Sequence, residues 1–212
     1  MESHFIEKQI QIISAAEQLF SEHGFSGTSV RDIASLAKVN VAMISYYFGS
    51  KEKLLEAIFE YRIGTTTIQL EYLLANKEID PLDKINVLVD HYVEKMVNNT
   101  CFFKIMQSAQ FASHENKELS EIIFKSKKKN FELISALIAE GQKTGQFRKS
   151  IDVAMMVSTL VGAANQIYNG RNYYKRLNNM EDMDEEKFHH LLKKRMKLYL
   201  KNMFKATLTY EI

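Results

Sequence analysis

Apolar residues recur at intervals of three and four along almost the whole chain, the spacing that lines them up on one stripe of an α-helix. Alternating β-branched runs are missing and proline occurs once, so the expected fold is all α. The first helix is expected over 5–23, with Ile6, Ile10, Ile13, Ala16, Leu19 and Phe20 on one face and Gly24 as a left-handed C-terminal cap. A second, two-turn helix opens at Thr28 or Ser29 and buries Val30, Ile33, Ala34 and Ala37. Asn40 caps a third, VAMISYYF, whose inward positions are Ile44 and Phe48. A fourth helix, from Lys51 towards Leu74, serves as a connector.

Beyond it the elements lengthen. Asp80-Pro81 is a cap followed by proline at the first helical position, which opens a helix to about Val97. CFFKIMQSAQFAS reads as a shorter aromatic helix, and long helices are expected over 117–142, 153–177 and 185–208. No repeat and no low-complexity linker interrupts them. The resulting organisation is a three-helix helix-turn-helix domain over 1–64, completed by the start of the connector, and a larger helical bundle over 65–212.

Charge and cysteine content narrow the chemistry. The net charge of +2 is too small to point to nucleic acid, and residues 1–64 hold six basic against eight acidic side chains. Any DNA-binding surface must therefore concentrate a few cations on one face. The lone Cys101 rules out a disulfide framework and fits a reducing compartment. No apolar run approaches the ~20 residues of a membrane span, and the start of the chain lacks a signal-peptide core. The expected location is the cytoplasm. His189 and His190 are adjacent, about 100° apart on a helix, so no metal site is expected, and no cofactor.

The short second and third helices, joined by Ala37-Lys38-Val39-Asn40, form a helix-turn-helix pattern whose second helix fits a major groove. With Ile44 and Phe48 turned inward, the third helix leaves Val41, Ala42, Met43, Ser45, Tyr46 and Tyr47 outward, a face without charge. Solvated helix faces carry Lys and Glu; this one reads as a contact surface.

The segment AAEQLFSEHGFSGTSVRDIASLAKVNVAMISYYFGSKEKLLEAIF, residues 15–59, resembles the TetR family of bacterial transcriptional regulators. The likeness rests on Gly24-Phe25, Thr28 to Ala34, Val39, Tyr46-Tyr47-Phe48 and Ser50-Lys51-Glu52 before Leu54. It implies that Thr28 and Ser29 offer hydroxyl and amide groups to phosphate, that Arg31 projects towards DNA, and that Asn40 to Tyr47 form the reading surface. Lys51 would join the fourth helix's amides on a phosphate. Lys38 and Ser45 belong to the same surface but depart from the pattern, which often has glycine and an aromatic there.

In the C-terminal part the resemblance reaches only the helical layout. Apolar residues with sparse polar groups suit a small effector, and the candidates are Tyr92, Met96, Phe102, Phe103, Met106, Gln107, Gln110, Phe111, His114, Gln166, Tyr168 and Asn169. The last two long helices are apolar over broad arcs. By resemblance they would pair with their symmetry mates, through Met155, Thr159, Ala163, Ile167, Phe188, Leu192, Met196, Tyr199 and Met203. The function expected is a homodimeric repressor, bound to an imperfectly palindromic operator and released by a small apolar or amphipathic effector. An effector-independent factor of the same fold and an all-helical enzyme or carrier stay open as alternatives, although no nucleophile–base pair, phosphate loop or metal-ligand spacing marks a catalytic centre.

Overall fold

Helix α1 (Glu7–His23) starts two residues later than its apolar pattern, because Gln9 accepts the Ile6 backbone N–H in its side chain at 3.0 Å and so caps the first turn. Its end corrects the expected left-handed cap. Gly24 has φ 74° but an extended ψ of 168°, a conformation that favours glycine, and it turns the chain so that the Phe20 and Phe25 rings meet at 5.3 Å. In this computed structural model, residues 5–111 and 117–209 are described, apart from the side chains of 109–111, 118, 119, 122 and 126. Among them ten helices occur.

The other nine are α2 (Val30–Leu36), α3 (Val41–Phe48), α4 (Lys51–Ala75), α5 (Pro81–Asn98), α6 (Thr100–Phe111), α7 (Lys117–Lys143), α8 (Val153–Asn169), α9 (Arg171–Leu177) and α10 (Glu185–Thr209). The single helix expected over 153–177 is thus two, broken at Gly170, which caps α8 through its N–H to the Gln166 carbonyl. A residue without side-chain constraints on its backbone is a natural point for the break.

The chain forms two compact units that are not consecutive in sequence: 1–69 with 99–130, and 70–98 with 131–212. In the first, α1, α2, α3 and the start of α4 enclose Ile12, Ile13, Phe20, Ile33, Ile44, Leu54 and Ile58. Helix α6 packs on α1 and adds Phe102 and Ile105, with the Phe102 ring 5.5 Å from Phe59. Each such fully buried Ile, Leu or Phe contributes about 1.5–3 kcal/mol. These contacts explain why the compact unit extends beyond residue 64, where the sequence pattern places the end of the N-terminal domain.

In the second unit α5 lies along α10, and α8 contacts both. Val89, Val93 and Met96 are buried there, as are Phe188, Leu192, Met196, Leu200 and Phe204. Flanking that seam, Glu94 takes Lys193 and Lys197 while Asp90 takes Lys201. The fully buried Lys84 donates to the Leu74 carbonyl near the end of α4 and to the Glu140 carboxylate, which supplies the partners that a buried ammonium requires.

Candidate nucleic-acid interface

Local capping builds the two short helices. Ser29 caps α2: its Oγ accepts from the Asp32 N–H at 3.2 Å and donates to the Asp32 carboxylate at 2.6 Å, while the Ser29 N–H reaches the same carboxylate at 2.9 Å. These bonds hold the Asp32 carboxyl below its ordinary range. Sequence reading missed Asp32, although Ser29-x-x-Asp32 is the signature of a reciprocal capping box. Asn40 caps α3, its Oδ1 accepting from the Ala42 N–H at 2.8 Å, so the amide nitrogen end of Asn40 remains available to a partner.

The turn between them is held from two sides. Lys38 adopts φ 50°, the left-handed conformation that accounts for a family preference for glycine at this point. The Gln11 amide of α1 donates to the Ala37 carbonyl at 2.9 Å, a second positioning contact that the sequence pattern did not single out.

On α3, Ile44 is buried and Phe48 is partly buried against the core. Val41, Ala42, Ser45 and Tyr46 are exposed, Tyr46 to 83%. Two residues expected outward are only half so: Met43 is half-buried, and Tyr47 packs on the core with its ring 5.1 Å from Tyr46. The exposed patch that remains is uncharged and includes two small hydrocarbon side chains at the start of the helix. Arg31 is exposed on α2 and Lys38 on the turn.

Two other residues are placed differently from the expectation. Thr28 is buried, its Oγ1 lying 2.9 Å from the Gly24 carbonyl and 3.2 Å from that of Leu19. Its hydroxyl is committed inward and is not presented to phosphate. Lys51 directs its ammonium to the carbonyls of Phe25 and Thr28 at 2.9 and 3.0 Å. Ser29 is the exposed member of the Thr28-Ser29 pair.

Three of the eight acids counted in residues 1–64 are held by local partners. Glu17 is buried and paired with Arg62, and Glu56 is buried and paired with Lys53. Glu52 sits in the first turn of α4, with its carboxyl lowered by its own backbone N–H and by Ser50. The α3 surface itself carries no acid.

In the C-terminal part the effector candidates divide between units. Phe102 is buried and Phe103, Met106 and Gln107 are half-buried in the first. Met96 is buried, Tyr92 and Tyr168 are half-buried, and Gln166 and Asn169 are exposed in the second. The side chains of Gln110 and Phe111, and His114, lie outside the described residues. Of the dimer candidates, Phe188, Leu192 and Met196 are at most 2% exposed, a correction: they form the unit's own core and have no surface to offer. Met155, Thr159 and Tyr199 are exposed, and Ala163, Ile167 and Met203 half-exposed. Among the described residues no group of histidine, cysteine and acidic side chains could hold a metal, and no helix is long and apolar enough to cross a membrane.

A capped two-turn helix, a tight turn and an uncharged exposed reading helix define a helix-turn-helix DNA-binding protein. Residues 12–58 match the model of the bacterial regulatory proteins of the tetR family, and residues 81–196 match that of the tetracyclin repressor-like C-terminal domain. The HTH-type transcriptional repressor NicS of Pseudomonas putida is 30% identical over 152 residues, which span 70% of this chain and 71% of that protein. The fatty acid degradation regulator FadR from Bacillus halodurans has the same fold, with a TM-score of 0.71 at 24% identity over 93% of this chain and 96% of its own. FadR from Bacillus subtilis, solved in complex with stearoyl-CoA, superposes with a TM-score of 0.67 at 20% identity over 90% and 96% of the two chains. The chain belongs to the TetR family: it is a TetR-type transcriptional repressor that binds DNA, and not an enzyme.

Proposed function

We propose that this repressor acts as a homodimer on an imperfectly palindromic operator and is released from it by a long-chain acyl thioester. Residues 1–64 read the DNA, and residues 65–212 bind the effector and pair the subunits. DNA reading is supported by the uncharged exposed face of α3 beside Arg31 and Lys38. A twofold partner follows from the geometry of such modules, which place two reading helices one turn of duplex apart or more.

The observation that carries the effector class is the likeness, over nine-tenths of the chain, to a regulator solved with stearoyl-CoA. An acyl thioester is an amphipathic molecule, and it suits a region with aromatic mass and sparse polar groups. Release is then a matter of linkage. An effector that prefers a conformation mismatched to successive major grooves lowers DNA affinity, and DNA lowers effector affinity by the same factor, about 5–150-fold. The action takes place in the cytoplasm, where the bacterial chromosome lies.

The test is DNA binding to a duplex selected in vitro from the source genome, with and without stearoyl-CoA, free stearate and free coenzyme A. The thioester alone should weaken binding by at least fivefold. No effect of any of the three would leave an effector-independent factor, and release by an unrelated small molecule in a thermal-shift screen would replace the acyl class.

A further inference from the structure

The ammonium of Lys51 occupies an unusual position for a cation. Lys51 is the first residue of α4, where the helix dipole favours an acid and disfavours a positive charge. Its side chain leaves that end and turns back to the α1–α2 corner. Nζ lies 2.9 Å from the Phe25 carbonyl, 3.0 Å from the Thr28 carbonyl and 4.2 Å from the centre of the Phe25 ring. Both carbonyls belong to residues between α1 and α2, and charge-assisted hydrogen bonds with a cation–π contact are the strongest that a neutral corner can receive.

The corner is a chain of contacts leading to the reading surface. Thr28 joins its hydroxyl to the Leu19 carbonyl of α1 and to the carbonyl of its cap, Gly24, and gives its own carbonyl to Lys51. The next residue, Ser29, is the N-cap of α2. Gly27 completes the packing, since a Cβ there would lie 2.3 Å from the His23 carbonyl oxygen. A shift of Lys51 is therefore passed to the start of α2 within one residue, and through α2 to the turn and α3.

We propose that Lys51 is a positioning residue: it clamps the α1–α2 corner to the start of α4 and so sets where α2 and α3 meet DNA, rather than neutralising a phosphate. A lysine that moved out to a phosphate would take its donor from the Thr28 carbonyl, leave the Phe25 carbonyl with the long 3.4 Å bond from the Thr28 N–H, and abandon the Phe25 ring.

Lys51→Met keeps most of the aliphatic stem and removes the charge. Against a duplex of the sequence selected in vitro, its Kd should rise at least tenfold, with the binding-competent fraction unchanged in a stoichiometric titration. The slope of log affinity against log salt should stay at the wild-type value. Thr28→Val should reproduce the loss without any change of charge, and the double variant should be no worse than the weaker single one. A slope flattened by about 0.9, the signature of one lost phosphate contact, with Thr28→Val silent, would overturn the proposal. A measurement on the wild-type protein covers the case in which Lys51→Met fails to fold, and it requires no DNA. Under reductive methylation Lys51 should label far more slowly than the exposed Lys38. Equal labelling of the two would overturn the clamp independently of whether the operator has been found.

Discussion

Arg62 of α4 donates from Nε to the carboxylate of Glu17 on α1 at 2.8 Å, and the Glu17 side chain is only 5% exposed. The pair spans 45 residues of sequence and ties the connector helix to the helix-turn-helix core. A buried pair of this kind adds little relative to a hydrophobic replacement, but removing one partner strands a charge. Arg62→Leu should therefore destabilise the protein by about 3 kcal/mol, whereas Glu17→Gln, which keeps an acceptor and no charge, should cost about 1 kcal/mol. Urea denaturation with an unchanged m-value checks both.

The helices were legible because their signals are local. Ser29 and Asn40 cap where their side chains predict, and Ile33, Ala34 and Ile44 are buried where the three- and four-residue spacing puts them. What sequence could not supply was the direction of side chains with two plausible partners. Thr28 and Lys51 sit beside both a helix end and a set of corner carbonyls, and only the packed corner decides between them. The same holds for Phe188, Leu192 and Met196. A broad apolar arc on α10 has an inner and an outer part, and the position of α5 determines which residues are inner.

Tyr92 of α5 gives a prediction in alkali. Burial, partly offset by its hydrogen bond with the Asn165 side chain, pushes its phenol up from 10 to about 12. The folded value is raised, so its contribution is fully present below pH 10 and is lost as pH rises towards 12, because only the unfolded chain ionises there. The measured quantity is the difference between the wild type and Tyr92→Phe. Between pH 10 and 12 the wild type should lose about 2 kcal/mol more stability than Tyr92→Phe. Phenolate absorbance should show one tyrosine fewer titrating near 10 in the folded wild type than in its own unfolded chain, and no such difference in Tyr92→Phe.

The proposed dimer makes opposite predictions for neighbouring residues. Met155 and Tyr199 are 65% and 62% exposed, and Met155, Thr159, Met203 and Thr207 line a shallow groove of about 170 Å³ with Arg148 and Phe204. Met155→Lys together with Tyr199→Lys should give a folded monomer by light scattering with unchanged helical circular dichroism. Phe188→Ala, Leu192→Ala or Met196→Ala should instead lower stability by about 2–5 kcal/mol without a folded monomer accumulating. A wild-type protein that is monomeric at micromolar concentration would count against the twofold assembly itself.

The last prediction concerns the bases read by α3. A helix that reads guanine presents arginine or lysine to the O6/N7 edge, and the exposed face of α3 presents Val41, Ala42, Ser45 and Tyr46 instead. Val41 is 40% exposed at the first position of the helix, the end that enters the major groove in this motif. The apolar feature of a base pair in that groove is the thymine methyl. Half-sites should therefore be rich in A·T pairs where they face Val41 and Ala42, with Arg31 of α2 the candidate for a single guanine. Met43, half-buried against the helix, should contribute less than its position in the sequence pattern implies. Val41→Ala removes methyl groups from such a contact and should cost on the order of 1 kcal/mol at the preferred site, with much less effect on random DNA. Val41→Arg should shift the preferred base at the facing position towards guanine. In vitro selection with the wild type and both variants measures all three effects. G·C-rich half-sites for the wild type at those positions would transfer the reading to the free amide end of Asn40, to Ser45 and to Tyr46.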